Sequence, residues 1–396
     1  MIMSFQAPSA QDIKRHETAQ SMLQIVLRQF VEHKMAVAGA FIILLFFLIS
    51  IGADLISSVT GIDPNKQNLG ARYEQPFTRV EYSADQKESE VERWIANHPT
   101  EADAIQKALV AKQVVTVPET DAIYDVTALP KVDALNKLKE LKMPETKSLD
   151  DLVESFSSYH VMGTDEVGRD VMMRLIYGAR VSIGVGLLVA ISSALLGLII
   201  GALAGYYGGA MDAVLMRVTD ALLSLPIMPV LIVVAAIDLQ KLPGVAAILP
   251  VGMESIFKMV IILCLFSWMP VARLVRGEIL SLREREFVLA AKTLGAKDST
   301  IIGRHMFPNV IAPLLVSITL GVGESILFEA ALSFLGLGIM PPTPSWGNML
   351  NNAQEVIYKN IWLCIFPGLM ILLTVISFNF VGDGLQDAVD PKSIRR

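Results

Sequence analysis

The sequence predicts an all-α polytopic membrane protein with six transmembrane helices and a small, mainly helical domain inserted on the extracytoplasmic side. Three observations lead there. Hydrophobic residues make up 53% of the 396, well above the level of a soluble chain. They fall in runs of about 20 residues, the length at which a helix crosses a bilayer. The predicted inner segments hold fifteen Lys and Arg, whereas the two short outer loops hold only Lys241, Lys258 and Lys359. That asymmetry places both ends inside.

Taken in order, residues 1–35 are a cytoplasmic segment carrying Lys14, Arg15, Arg28 and Lys34. The first span, 36–59, reads as an uncleaved anchor with Asp54 as its only charge. Residues 60–160 are polar. They hold 12 Lys and Arg against 18 Asp and Glu, so this segment alone accounts for the chain's net charge of −6. Ser83 with Gln86 reads as a capping box, and Thr100 as a second helix cap. Further helices are expected over 130–142 and 148–157, with short strands at 114–117 and 123–126. Trp94, Leu109, Leu135 and Phe156 are among the apolar anchors of an extracytoplasmic domain.

Residues 161–382 form the membrane core. Val171, Arg174 and Leu175 predict a short helix at the outer surface, ahead of a span over 182–206. Gly197, Gly201 and Gly205 recur every four residues and so share a close-packing face. Tyr206 to Gly209 turn the chain inside. A third span, 217–237, holds Pro226 and Pro229, which kink it and make it a candidate for the wall of a pathway. A fourth span covers 255–273 and a fifth 313–335. After the outer loop 336–359, a sixth covers 361–381, and 383–396 is a cytoplasmic tail.

Two carboxylates, Glu324 and Glu329, lie within the fifth span. A carboxylate there costs a few kcal/mol on insertion scales and should face the bundle interior or water. Each reads either as a translocation-path residue or as a polar clamp between helices. Cys264 and Cys364 both fall in spans, which argues against a disulfide framework or a zinc site. The chain has no GxxxxGK[ST] phosphate loop, HExxH, GxSxG or basic nucleic-acid stripe. No cofactor, metal, catalytic residue or nucleic-acid partner is expected.

The inner loop 276–309 is the most informative stretch. Ser281 is expected to cap a helix over 282–294, and Gly295 to stop it. Asp298 or Ser299 should cap a second helix that ends before Pro308. Phe287, Ala290, Ala291 and Leu294 fall at i, i+3, i+4 and i+7 and form one shallow face. Arg283, Arg285, Lys292, Lys297 and Arg304 ring it with positive charge. The plain alternative is a solvated loop whose charge only fixes topology.

This loop resembles the EAA loop of ABC-importer permeases, whose pattern is Glu-Ala-Ala, three residues, Gly, nine residues, Ile-x-Leu-Pro. Ala290, Ala291, Gly295 and Pro308 match in register. Leu289 stands where Glu is expected, and His305 and Phe307 stand where Ile and Leu are expected. Glu286, about one turn earlier, is the candidate substitute for the missing Glu. The segments GTDEVGRDVMMRLIYGAR, EAALSFLGLG and MPPTPSWGNML resemble the oligopeptide/dipeptide branch. The resemblance covers 160–396 strongly and 20–59 weakly. It implies a non-catalytic permease subunit of the bacterial inner membrane. The implied partners are a second homologous permease, one or two ATPase subunits and an extracytoplasmic solute-binding protein. Glu286, Phe287, Leu289, Ala290, Ala291, Leu294, Gly295, Arg304, His305 and Pro308 would form the ATPase contact. Peptides are the expected solute, and nickel chelates, glutathione or antibiotic peptides are alternatives on the same scaffold. A membrane enzyme and a stand-alone transporter are the rival classes.

Overall fold

The structure is a computed structural model that describes residues 22–81, 157–237 and 253–389. The capping boxes, helices and strands expected between 83 and 156 lie outside the described residues. So do the outermost parts of both ends and most of the loop 238–252.

Among the described residues, five helices are long and apolar enough to cross a membrane: α2 (Lys34–Ile51), α4 (Val171–Tyr207), α7 (Glu254–Arg283), α9 (Asp298–Phe334) and α11 (Trp362–Val389). A sixth span is counted if α5 (Gly209–Leu223) and α6 (Ile227–Ala235), which meet at 85°, are taken as one bent pair. Pro226 stands at that break as the N-cap of α6, and Pro229 sits in the first turn of α6. A proline is tolerated in a first turn because no intrahelical donor is lost there. The expected kink is thus a full break. The shorter helices are α1 (Met22–Glu32), α3 (Ala53–Thr60), α8 (Glu286–Thr293) and α10 (Trp346–Ala353).

Three boundaries differ from the sequence expectation. The first membrane helix stops at Ile51, and Gly52 precedes the separate helix α3. No separate surface helix forms at Val171. Asp170 instead caps α4 by accepting the Met173 N–H at 2.7 Å, and α4 then continues for 37 residues. Pro308 does not end a helix either. A π turn over Ile301–Met306 leads directly into Phe307, whose N–H bonds the Ile302 carbonyl. This wider turn makes room for a pyrrolidine ring that would clash with the carbonyl four residues back.

The chain divides into two compact units. The larger contains Gly178–Asn351 together with the chain up to Ile51 and from Pro367 onward. Here the glycine repeat of α4 meets α7. A Cβ on Gly197 would lie 2.6 Å from Val271 Cβ, one on Gly201 2.8 Å from Val275 Cβ, and one on Gly205 2.9 Å from Ile279 Cβ. Lipid removes most of the hydrophobic drive for helices to associate, so this near-contact of backbones supplies the packing energy instead. One core cluster joins Ala194, Ala202 and Tyr206 of α4 to Val271, Val275 and Ile279 of α7, and extends through Val288 and Ala291 to Ile301, Met306 and Val310. A second joins Val185 and Val189 to Leu231, Met259, Leu263 and Leu332.

The smaller unit contains Gly52–Tyr177 and Asn352–Phe366. Its described part holds a two-stranded antiparallel ladder, β1 (Thr78–Glu81) with β2 (Ser157–His160), in which Glu81 faces Ser157. These two strands lie away from the short strands expected at 114–117 and 123–126. Arg169 is buried: it bonds Asp165 at 2.7 Å and Glu166 at 2.7 Å. Arg174 is buried too, with its Nε 3.4 Å from Asp165. Asn352 donates to Glu166 at 2.9 Å. Burial, with Asp165 next in weight, pushes the Glu166 carboxyl above its usual value.

Candidate functional site

The inner loop is built on the larger unit. α7 runs through Ser281 to Arg283, so Ser281 does not cap the next helix. α8 begins instead at Glu286 behind an extended Arg285. It ends as expected: Gly295 takes φ +78°, its N–H bonds the Lys292 carbonyl, and the Ala296 N–H bonds the Ala291 carbonyl. These two bonds form a Schellman closure, which favours glycine at the left-handed position.

The expected four-residue face of α8 is divided. Ala291 turns inward with Val288, and both join the core shared by α4, α7 and α9. Phe287 is 44% exposed, Leu289 46% and Leu294 87%, and Glu286, Ala290 and Thr293 are also exposed. Glu286, Leu289, Ala290 and Thr293 fall at i, i+3, i+4 and i+7, so the outward face of α8 carries both Leu289 and the acidic Glu286 one turn before it. Arg304 and Pro308 are exposed and His305 is half-buried. Among the described residues, Arg285, Lys292, Lys297 and Arg304 are exposed and make no ion pair.

Polar contacts that sequence reasoning missed anchor the loop. The Tyr206 hydroxyl donates to Asp298 at 2.6 Å, and Arg283 donates to the Tyr206 carbonyl at 3.2 Å. Arg276 grips Asp212 through two bonds of 2.5 and 2.6 Å, and Arg273 reaches Asp220. These contacts tie α7 and the start of α9 to the ends of α4 and α5. Charge pairs 53 and 64 residues apart in sequence carry no local signature.

The two carboxylates of the fifth span are placed differently. Glu329 is fully buried; it accepts the Ser182 hydroxyl at 3.1 Å and the Ser333 hydroxyl at 2.7 Å, with Ser345 also bonded to it. Ser182 in turn accepts the Trp346 N–H at 3.2 Å. The carboxylate thereby joins α4, α9 and the start of α10. Glu324, five residues earlier, is exposed.

In the smaller unit, the Ser158 hydroxyl lies 2.6 Å from His160 Nε2, and His160 Nδ1 lies 2.7 Å from Asp170. The array has the residue types of a hydrolytic relay, but its setting is structural. His160 and Asp170 are buried, and Asp170 is already engaged as the cap of α4. The array fastens β2 to the first turn of α4.

Residues 197–395 match the family described as binding-protein-dependent transport system inner membrane component, and residues 21–76 match the N-terminal transmembrane domain of oligopeptide transport permease C. The dipeptide transport system permease protein DppC of Alkalihalophilus pseudofirmus is 41% identical over 60% of this chain and 73% of its own length. DppC of Bacillus subtilis is 42% identical over 60% and 70%. The glutathione transport system permease protein GsiD of Shigella flexneri is 42% identical over 61% and 76%.

Proposed function

Because the chain belongs to the family of binding-protein-dependent transport system inner membrane components, we propose that its solutes are peptides and that α8 is its contact with a separate ATPase subunit. It is a multi-pass permease subunit of an ABC importer, a transport component. One observation supports the coupling role above the rest: α8 is fixed on one side and free on the other. Val288 and Ala291 lock its inner face into the core shared by α4, α7 and α9. Its outer face offers Leu289, Ala290 and Leu294 among unpaired cations. A partner that moves α8 therefore moves three membrane helices with it. Closure of an ATP-bound ATPase dimer would bias such a two-state bundle from inward-facing to outward-facing. In this reading both chain ends and α8 are cytoplasmic, a second homologous permease completes the pathway, and an extracytoplasmic binding protein delivers the solute. Pro226 and Pro229 mark the broken span as part of the pathway wall.

The test is ATP-driven uptake of labelled di- and tripeptides by the assembled importer in proteoliposomes. Leu294→Asp should abolish uptake while the subunit still inserts and assembles. Full uptake by that variant would rule out α8 as the docking element. Uptake of glutathione but of no unmodified peptide would shift the solute to the class named by the GsiD relative.

The inserted segment is proposed to fold on the extracytoplasmic side and to contact the binding protein. Its net charge of −6 favours a basic partner surface and salt-sensitive docking. Glu81 and Ser157 face each other across the ladder, so residues 82–156 can be replaced by an Asn-Gly turn with the strands kept. Loss of binding-protein-stimulated ATPase with basal ATPase intact is expected. Unchanged stimulation at low and high salt would sink this contact.

A further inference from the structure

Glu324 stands in the second half of α9, which packs against several helices of the larger unit. On one side Gly186 of α4 fits against Ile326, where an added Cβ would lie 2.7 Å from the Ile326 side chain. On another, Gly323 packs by Val375 and Asn379 of α11, and Gly382 of α11 packs against Leu320. Leu332 joins the core formed with α6 and α7. The remaining arc of this half of α9 carries Glu324, Leu327, Phe334 and Leu335, all exposed. Among the described residues Glu324 makes no hydrogen bond and no ion pair.

An ionisable group at that depth does not face lipid without a cost of a few kcal/mol. The chain satisfies its other mid-span carboxylate with hydrogen bonds, closing Glu329 with serine hydroxyls. Glu324 receives no such treatment, although it lies on the same helix one and a half turns away. A purely structural carboxylate would be expected to have partners within the chain. One that faces the pathway would be left without them.

We infer that Glu324 lines the translocation pathway and selects for cationic side chains on the solute, such as the ammonium of a lysine. This rests on the peptide reading above and deepens it. A carboxylate beside Leu327 offers one charge-assisted contact on an apolar face, which suits a peptide of mixed side chains.

The test uses the complete importer in proteoliposomes with saturating binding protein loaded with either Ala-Ala-Ala or Ala-Lys-Ala. Glu324→Gln should lower uptake of the lysine peptide relative to the alanine peptide by about tenfold, the scale of one charge-assisted hydrogen bond. Glu324→Asp should restore most of that ratio. An unchanged ratio in Glu324→Gln overturns the inference. An equal loss of both peptides, together with dissociation of the permease pair on a sizing column, also overturns it and makes Glu324 a contact to the second permease. A wild-type importer that transports neither peptide overturns the peptide reading itself, and this inference with it.

Discussion

The loop 286–309 and the segment 157–177 are both charged and both adjoin a membrane helix, yet they use their charges in opposite ways. In 157–177, Asp165, Glu166, Arg169 and His160 are bonded to one another or to neighbours, and most are buried. In 286–309, Lys292, Lys297 and Arg304 stand exposed without an ion pair among the described residues, as does Arg285 just before it, beside exposed Leu289 and Leu294. A segment that satisfies its own charges serves the fold. A segment that leaves charge and apolar surface free on a rigid support has them available for another molecule. Hydropathy and charge counts cannot separate these two cases, but hydrogen-bond partners do.

The largest expected effect lies in the self-satisfied segment. Arg169→Ala leaves Asp165 buried without its closest charge partner and should cost about 3–5 kcal/mol, the usual penalty for half of a buried pair. Thermal unfolding of the detergent-solubilised subunit, or tryptic cleavage between 160 and 175, would register it. A stability within 1 kcal/mol of wild type would mean that the pairing adds little.

The two faces of α8 provide the next contrast. Ala291→Glu places a charge in the core of α4, α7 and α9 and should destabilise the subunit by several kcal/mol. Ala290→Glu, one residue earlier, should leave stability within about 0.5 kcal/mol and reduce only peptide-coupled ATPase. Equal thermal stability of the two variants would undo the division of the helix into an inner and an outer face.

Smaller effects follow at single groups. Burial raises the Glu166 carboxyl above 4.5 in the folded protein. A raised carboxyl favours the folded state below the unfolded value and loses that contribution as pH rises through the folded value. Glu166→Gln should therefore flatten the stability profile from about pH 4.5 upward, as followed by thermal melts across that range. Leu289→Glu, on the exposed face, should change stability least. It should leave transport intact or strengthen coupling slightly, and a complete loss would show that Leu289 fills an apolar pocket on the ATPase.

Much of this was legible in the sequence where the cause is local. Gly295 stops α8 because one residue needs a left-handed φ, and Gly197, Gly201 and Gly205 mark a packing face by spacing alone. Pro226 breaks its span because it lacks an N–H. The parts that were not legible depend on distant partners. Periodicity identified an apolar side of α8, but Val288 with Ala291 and Phe287 with Leu294 lie on adjoining arcs. Only the approach of α9 decides which arc is buried. The continuation of α9 through Pro308 depends on a π turn, for which the residues give no signal. Strands β1 and β2 are four residues each and 75 residues apart, too short and too polar to declare themselves by alternation.

The short ladder also has a consequence for protein engineering. Antiparallel neighbours hold their backbones about 5 Å apart, and closing a longer loop between fixed ends costs little more than closing a short one. The junction at Glu81 and Ser157 is therefore a socket: it specifies the spacing of two chain ends and nothing about what joins them. A fluorescent reporter or an affinity handle with neighbouring termini can be spliced there, giving a label on the permease that leaves α8 and the membrane helices untouched.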